Sequence, residues 1–199
     1  MKKIISIITV CAACFLTLTA CSREPKEFEG LKFVKWGAGN RAEYYKLDDL
    51  ENASVAVVVG TFVEDAEQKV QYQYNAAFSK EIVSWVNSYN TIEVSRVLKG
   101  DVEVGDNLKL TQLYAVVDGQ LITMSDLTPM VKGDTWIFFL DCEEGSDIYW
   151  VTGDSDGRYP VSSNTNKTLA ITQYSNLGVY KKQNFKSGIY SEILEKYDI

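Results

Sequence analysis

Two stretches restrict the fold of this chain more than any others: "SVAVVVGTF" (54–62) and "TWIFFL" (135–140). The first is β-branched and nearly continuous, as in a strand buried on both faces. The second is an apolar run suited to a central strand, bounded by Gly133-Asp134 and Asp141. Because side chains alternate along a strand, Trp136, Phe138 and Leu140 share one face, and Ile137 and Phe139 the other. The first strand therefore needs cover on two sides; the second is either buried on both faces or half exposed, its outward aromatics then marking a binding surface.

The rest of the chain supplies further strands, joined mainly by turns. "VQYQY" (70–74) alternates strictly and reads as half-exposed. Residues 76–90 admit two readings: Phe78, Ile82, Trp85 and Tyr89 suit a helix, while Ile82 to Val86 suit an extended segment. From Thr91 the β signal is strong, through "TIEVSRVLKGD" and "GDNLKLTQLYAVV". Asp118-Gly119, between Val117 and Leu121, is a short hairpin signal. Asp154 to Gly157 is turn chemistry between "DIYWVT" and "RYPV". A short helix is expected in "YYKLDDLENA", with Leu47 and Leu50 three apart. Another follows Ser187, a capping residue, with Ile189, Tyr190, Ile193, Leu194 and Tyr197 on one face. Short strands with few helices indicate a mainly β protein, a small barrel or a sandwich.

The N-terminus is a separate problem. Lys2 and Lys3 precede an uncharged apolar run, Ile4 to Ala20, which ends in Leu18-Thr19-Ala20-Cys21. This resembles the bacterial lipoprotein signal. The resemblance implies removal of residues 1–20 and lipidation of Cys21 (palmitate among its acyl chains). The polar stretch "SREPKEFEG" that follows reads as part of a tether over 21–40, ahead of a single barrel-like domain over 41–199. An uncleaved membrane anchor or an ordinary signal peptide is the alternative, and both leave Cys21 without a role. A diacylglyceryl thioether carries two acyl chains, enough for stable anchoring where one chain is marginal. The expected address is the extracytoplasmic face of the cell membrane.

Processing removes Lys2, Lys3, Cys11 and Cys14, so the net charge moves from −7 to −9. An acidic body is repelled by nucleic acid phosphates and anionic headgroups, so no nucleic acid partner is expected. Lys181, Lys182 and Lys186 read as a solvated face. Cys142 is left without a disulfide partner; Asp141, Glu143 and Glu144 disfavour its thiolate, which points to a structural residue at a strand end.

"SVAVVVGTF", "IEVSRVLKGDVEVGD", "PMVKGDTWIFFL" and "YWVTGDSDGRYPV" together resemble a group of uncharacterised Gram-positive lipoproteins. The resemblance spans about 54–161 and rests on strand-and-turn punctuation. It implies a small OB-like antiparallel barrel, with a short N-terminal and a C-terminal helix. In outline this is similar to netrin-like inhibitor domains, whose disulfides this chain lacks. No activity comes with the resemblance.

The chain contains no histidine. Ser-His-Asp and Cys-His catalysis and histidine-ligated zinc are thereby excluded. "GAGNRA" (37–42) fits a dinucleotide fingerprint, but such a motif requires a βαβ setting. The strands that follow are joined by turns, and a Gly-rich link is the reading adopted. Asp154 and Asp156 in "GDSDG" alternate as calcium ligands do, yet a distal bidentate acid is missing, so a hairpin turn is expected there. They are the candidate metal ligands; no catalytic or cofactor-binding residue is assigned, and no cofactor is expected. Tyr149, Trp150 and Tyr159 suit a sugar-binding surface or, as strand aromatics more often are, core and cross-strand pairs. The expected function is a non-enzymatic binding or interaction module at the cell envelope, with an unknown protein or glycan ligand. The alternative is a carboxylate-based glycan hydrolase acting at the cell wall.

Overall fold

The computed structural model describes residues 28, 31–36, 42–124, 129–130, 132–161 and 187–199. Cys21, the signal, residues 37–41 of the Gly-rich motif and Lys181, Lys182 and Lys186 lie outside them. In chain order the elements are β1 (Lys32–Trp36), α1 (Leu47–Asn52), β2 (Ala56–Phe62), β3 (Glu67–Asn75), β4 (Lys80–Lys99), β5 (Asn107–Gln112), β6 (Tyr114–Val117), β7 (Gln120–Met124), β8 (Thr135–Cys142), β9 (Ile148–Val151), β10 (Arg158–Pro160) and α2 (Ser187–Tyr197). Mainly β, with one short helix and a C-terminal helix, is what the pattern of short strands and turns predicted.

Five strands close into a barrel. β8 pairs with β2, β2 with β4, β4 with β5, β5 with β9, and β9 returns to β8. Closure leaves no free edge around the ring. The sequence reading expected an antiparallel barrel; the ring is mixed, because β5 and β9 run parallel, Thr111 opposite Trp150. Counted along the chain, the barrel strands follow the ring order 1-2-3-5-4, a small closed barrel of OB-like size. β4 bends to make this possible. Its register against β2 shifts twice, and each shift is a bulge that adds local twist. Gly60 also helps: a Cβ there would lie 2.9 Å from Ile92 Cδ1, so a side chain at that point would make Ile92 shift.

The core has two layers divided by the β2–β8 wall. Inside the barrel lie Val58, Phe62, Ile92, Val94, Leu110, Trp136, Phe138 and Leu140. Outside, Val57, Val59, Ile137 and Phe139 pack against Leu47 and Leu50 of α1 and Ile189, Tyr190 and Ile193 of α2. The helices thus cover the second face that "AVVV" and "IFF" required. Tyr190 stacks on Tyr159 at 6.0 Å, and its hydroxyl donates to the Pro160 carbonyl at 3.0 Å. Arg96 closes the far end of α2, donating to the carbonyls of Tyr197 (2.7 Å) and Asp198 (3.3 Å). Those carbonyls have no partner within the helix, so the cation satisfies them.

Two readings are corrected. Residues 21–40 were assigned to the tether, yet β1 lies within that span and pairs with β7 in parallel. Phe28 is buried against Tyr114, edge to face at 5.8 Å. The folded body therefore begins before residue 41, because the small sheet β1-β7-β6 needs Phe28, Leu31 and Phe33 on its outer side. The second correction concerns "GDSDG". β9 and β10 do not pair with each other; both run antiparallel to β8 along the same edge. Asp154–Gly157 is a 3-10 excursion between two segments of one edge, not a hairpin turn. The expected Asp118-Gly119 hairpin does form. Both residues have positive φ (49° and 71°), the geometry of a two-residue primed turn.

Candidate functional site

Residues 76–90, the span with two readings, turn out to be extended. β4 is 20 residues long. Its second half makes barrel wall; its first half pairs with β3 as a two-stranded arm. β5 reaches only as far as Ser88, so Lys80 to Asn87 leave the barrel with β3 alone as their ladder partner. The turn at the tip is held by Asn75, whose Oδ1 accepts from the amides of Ala77 (3.0 Å) and Phe78 (3.3 Å). Such an Asx turn is a local substitute for a backbone turn.

One face of the arm is anchored. Val70, Val83 and Val86 pack against Ala115, Val117, Ile122, Val34 and Trp36 of the small sheet. Ser88 Oγ donates to the Tyr114 carbonyl at 2.6 Å, and Val116 N–H donates to Gln68 Oε1 at 2.7 Å. Beyond these contacts the arm is exposed and aromatic. Tyr72 is 55 % exposed, Tyr74 62 %, Phe78 67 % and Trp85 39 %. Four of the seven large apolar side chains most exposed among the described residues are thus on this one element.

Register fixes how they are arranged. Tyr72 lies opposite Val83 and Tyr74 opposite Glu81, on the same side as Val70 and Val86. Trp85 lies opposite Gln71, on the other side. A bulge at Ser84 separates the two halves and twists the tip relative to the base. Phe78 sits in the terminal turn. The aromatics therefore surround the tip rather than paving one face. Charge is segregated as well: between Val70 and Ile92 the only charged residues are Lys80 and Glu81, in a chain with 27 acidic side chains.

Nearer the barrel, the Trp85 side of the arm becomes polar. Lys69 and Lys109 lie 4.9 and 5.0 Å from the centre of the Tyr89 ring. Asn87 donates to the Tyr89 hydroxyl at 3.0 Å and accepts from Thr111 Oγ1 at 2.5 Å. This patch ties the base of the arm to β3 and β5.

A second feature is a cleft of about 230 Å³ at the end of the parallel β5–β9 seam, lined by Thr111, Gln112, Leu113, Trp150, Val151 and Asp154. Gln112 is buried and already committed: it donates to Asn90 Oδ1 at 2.7 Å and accepts from the Met130 amide at 3.3 Å. Asp154 is the one acid among these lining residues. Hydrolysis by paired carboxylates needs two acids flanking one bond.

The sequence-derived candidates are thus dispersed. Asp154 reaches the cleft; Asp156 shares its 3-10 turn, and no group of three or more potential metal-ligating side chains occurs among the described residues. Cys142 ends β8, half-buried, its amide donating to Asp141 Oδ1 at 2.9 Å. Trp150 lines the cleft and Tyr149 packs on the barrel interior, while Tyr159 is buried under α2, which removes it from any sugar-binding surface. Burial and the charge of Asp156 hold the Tyr159 hydroxyl well above the usual phenol range, so it stays neutral. The aromatic arm itself was missed. Its signal was present as a 23-residue stretch with two charges; the open helix-or-strand choice over 76–90 concealed it. No family model matches this chain, and no curated protein matches it.

Proposed function

We propose that this protein is a lipid-anchored, extracytoplasmic interaction module that meets its partner through the tip of the β3–β4 arm. The observation that carries the reading is the arm: a projecting, nearly uncharged ribbon ringed by Tyr72, Tyr74, Phe78 and Trp85 on an acidic barrel. Exposed apolar patches of this kind mark contact surfaces. Aromatics are the residues most often responsible for binding energy at such surfaces. Position supports the same reading by analogy. The arm connects the first and second barrel strands, and in OB-folds that connection is one of the loops used for ligands. The hydrolase alternative requires a second acid at the cleft, where the lining named above supplies Asp154 alone.

The test is site-specific photocrosslinking in cells. A photoreactive side chain at Phe78 should give a discrete adduct, whether protein, glycan or lipid. The same group at Val104, equally exposed in the turn between β4 and β5, should not. Equal adduct yields at both positions would refute the arm as the contact surface.

A further inference from the structure

The arm can be assigned an occupant from its own geometry, if the anchoring reading above holds. We infer that the tip of the arm inserts into the interfacial region of the same lipid surface that holds Cys21.

The arrangement of the aromatics is the first argument. A partner with a flat docking surface meets one face of a two-stranded ribbon. Here Tyr72 and Tyr74 are on one side, Trp85 on the other, and Phe78 at the turn. A medium that surrounds the tip contacts all four at once; a partner on one face does not. Tyrosine and tryptophan are also the residues enriched at membrane–water interfaces, where the ring is apolar and its polar atom stays hydrated.

Charge is the second argument. The acidic body is repelled by an anionic headgroup layer. From Val70 to Ser79 the arm has no charged residue, and the first one after the turn is Lys80. Glu81 follows at once and cancels that charge, so the tip is the part of the molecule least repelled by such a layer. Lys80 can lay its aliphatic stem along the interface with its ammonium toward phosphate.

Reach is the third. Ser88 Oγ contacts the Tyr114 carbonyl, and Val117 packs with Val70 and Val83, so β6 runs toward the tip. β1 begins at that same end, with Lys32 N–H donating to the Gly119 carbonyl at 3.2 Å. Phe28 is held on Tyr114, level with Ser88. Cys21 is seven residues earlier, a span of no more than about 25 Å. From Ser88 to Ser79 the arm extends about 30 Å. A fully extended tether ends about 5 Å short of the tip of an upright arm, so anchor and tip reach one surface together when the arm tilts from the membrane normal.

The experiment uses the full lipidated chain, purified from membranes and reconstituted in phosphatidylcholine vesicles whose acyl chains carry bromine. Bromine quenches tryptophan only at close range. Part of the fluorescence should be quenched in the wild type, and that part should be absent in Trp85→Phe. The triple variant Tyr72→Ser, Tyr74→Ser, Phe78→Ser should still sediment with the vesicles through Cys21 but lose quenching of Trp85. Unquenched Trp85 in a chain that carries palmitate and sediments with vesicles would overturn the insertion and leave the anchor standing; the tip would then face a protein or glycan. Absence of palmitate from the chain would overturn the anchor, and the insertion with it.

Discussion

At the scale of single residues, the junction between α1 and α2 depends on Glu51. Its carboxylate accepts from Lys196 Nζ at 2.5 Å and from the Tyr197 hydroxyl, while Lys99 Nζ donates to the Glu51 and Ser54 carbonyls at 2.5 and 2.8 Å. Burial raises the Glu51 pKa, but hydrogen bonds from Lys196 and Tyr197, with the charges of Lys196 and Lys99, outweigh it and lower the net value. Tyr197 moves the opposite way: burial, then the hydrogen bond to Glu51 and its negative charge, raise the phenol. A carboxyl whose folded pKa lies below its unfolded one stabilises the fold fully above the unfolded value. That contribution is lost as pH falls through the folded value. Lys196 is half-exposed, which weakens its share. Glu51→Gln should cost about 1–2 kcal/mol at pH 7. The penalty should shrink once pH falls below the ordinary carboxylate range, where the carboxyl of the unfolded chain protonates first, and vanish below the lowered folded value. Urea midpoints of the two proteins at pH 7 and pH 3 measure this. A penalty of equal size at both pH values would show that the clasp is not electrostatic.

At the scale of elements, β8 carries the clearest energetic test. Phe138 faces the barrel interior, edge to face with Phe62 at 5.8 Å, and Phe139 faces the helices, edge to face with Tyr159 at 6.0 Å. Both are fully buried. Phe138→Ala and Phe139→Ala should each cost about 3–5 kcal/mol in urea unfolding, because each opens a cavity in a separate layer. A near-neutral Phe139→Ala would mean that α2 does not seal the outer layer. Two-sided burial was legible in "AVVVGTF" and was one of two readings for "WIFFL"; the Asp118-Gly119 turn was legible too, because apolar runs and turn residues act locally. The mixed barrel was not legible: the parallel β5–β9 contact joins residues some 40 apart, and no local pattern encodes it. β1 was hidden for a related reason. "KFVKW" carries two lysines and reads as tether until β7 supplies a partner. The 3-10 excursion at Asp154 escaped notice because turn residues look alike whether the chain reverses or continues along the same edge. The arm was half legible. "VQYQY" alternates, but "FSKEIVSWVNSY" fits either period, and only pairing with β3 resolves it.

At the scale of the whole molecule, the proposed function joins an acidic barrel, a neutral arm and a lipid at Cys21. These elements do not have equal strength. Two acyl chains hold a protein on a bilayer stably, whereas a few interfacial aromatics bind weakly and reversibly. None of the helices among the described residues is long and apolar enough to cross a membrane. Attachment should therefore depend on Cys21, with the arm setting orientation. Cys21→Ala should abolish incorporation of labelled palmitate and shift the chain from the membrane fraction toward the soluble one. Residual association of that variant should rise with salt, because screening weakens the repulsion between the acidic body and anionic headgroups while leaving aromatic burial intact. Ordinary electrostatic membrane binding responds to salt in the opposite direction, so the sign separates the two mechanisms. Membrane fractionation of Cys21→Ala at low and high salt, with and without the Tyr72, Tyr74 and Phe78 substitutions, would measure both contributions. Undiminished palmitate on Cys21→Ala would place the lipid elsewhere. Salt-induced release of the variant would mean that a basic surface, not the arm, holds it to the membrane.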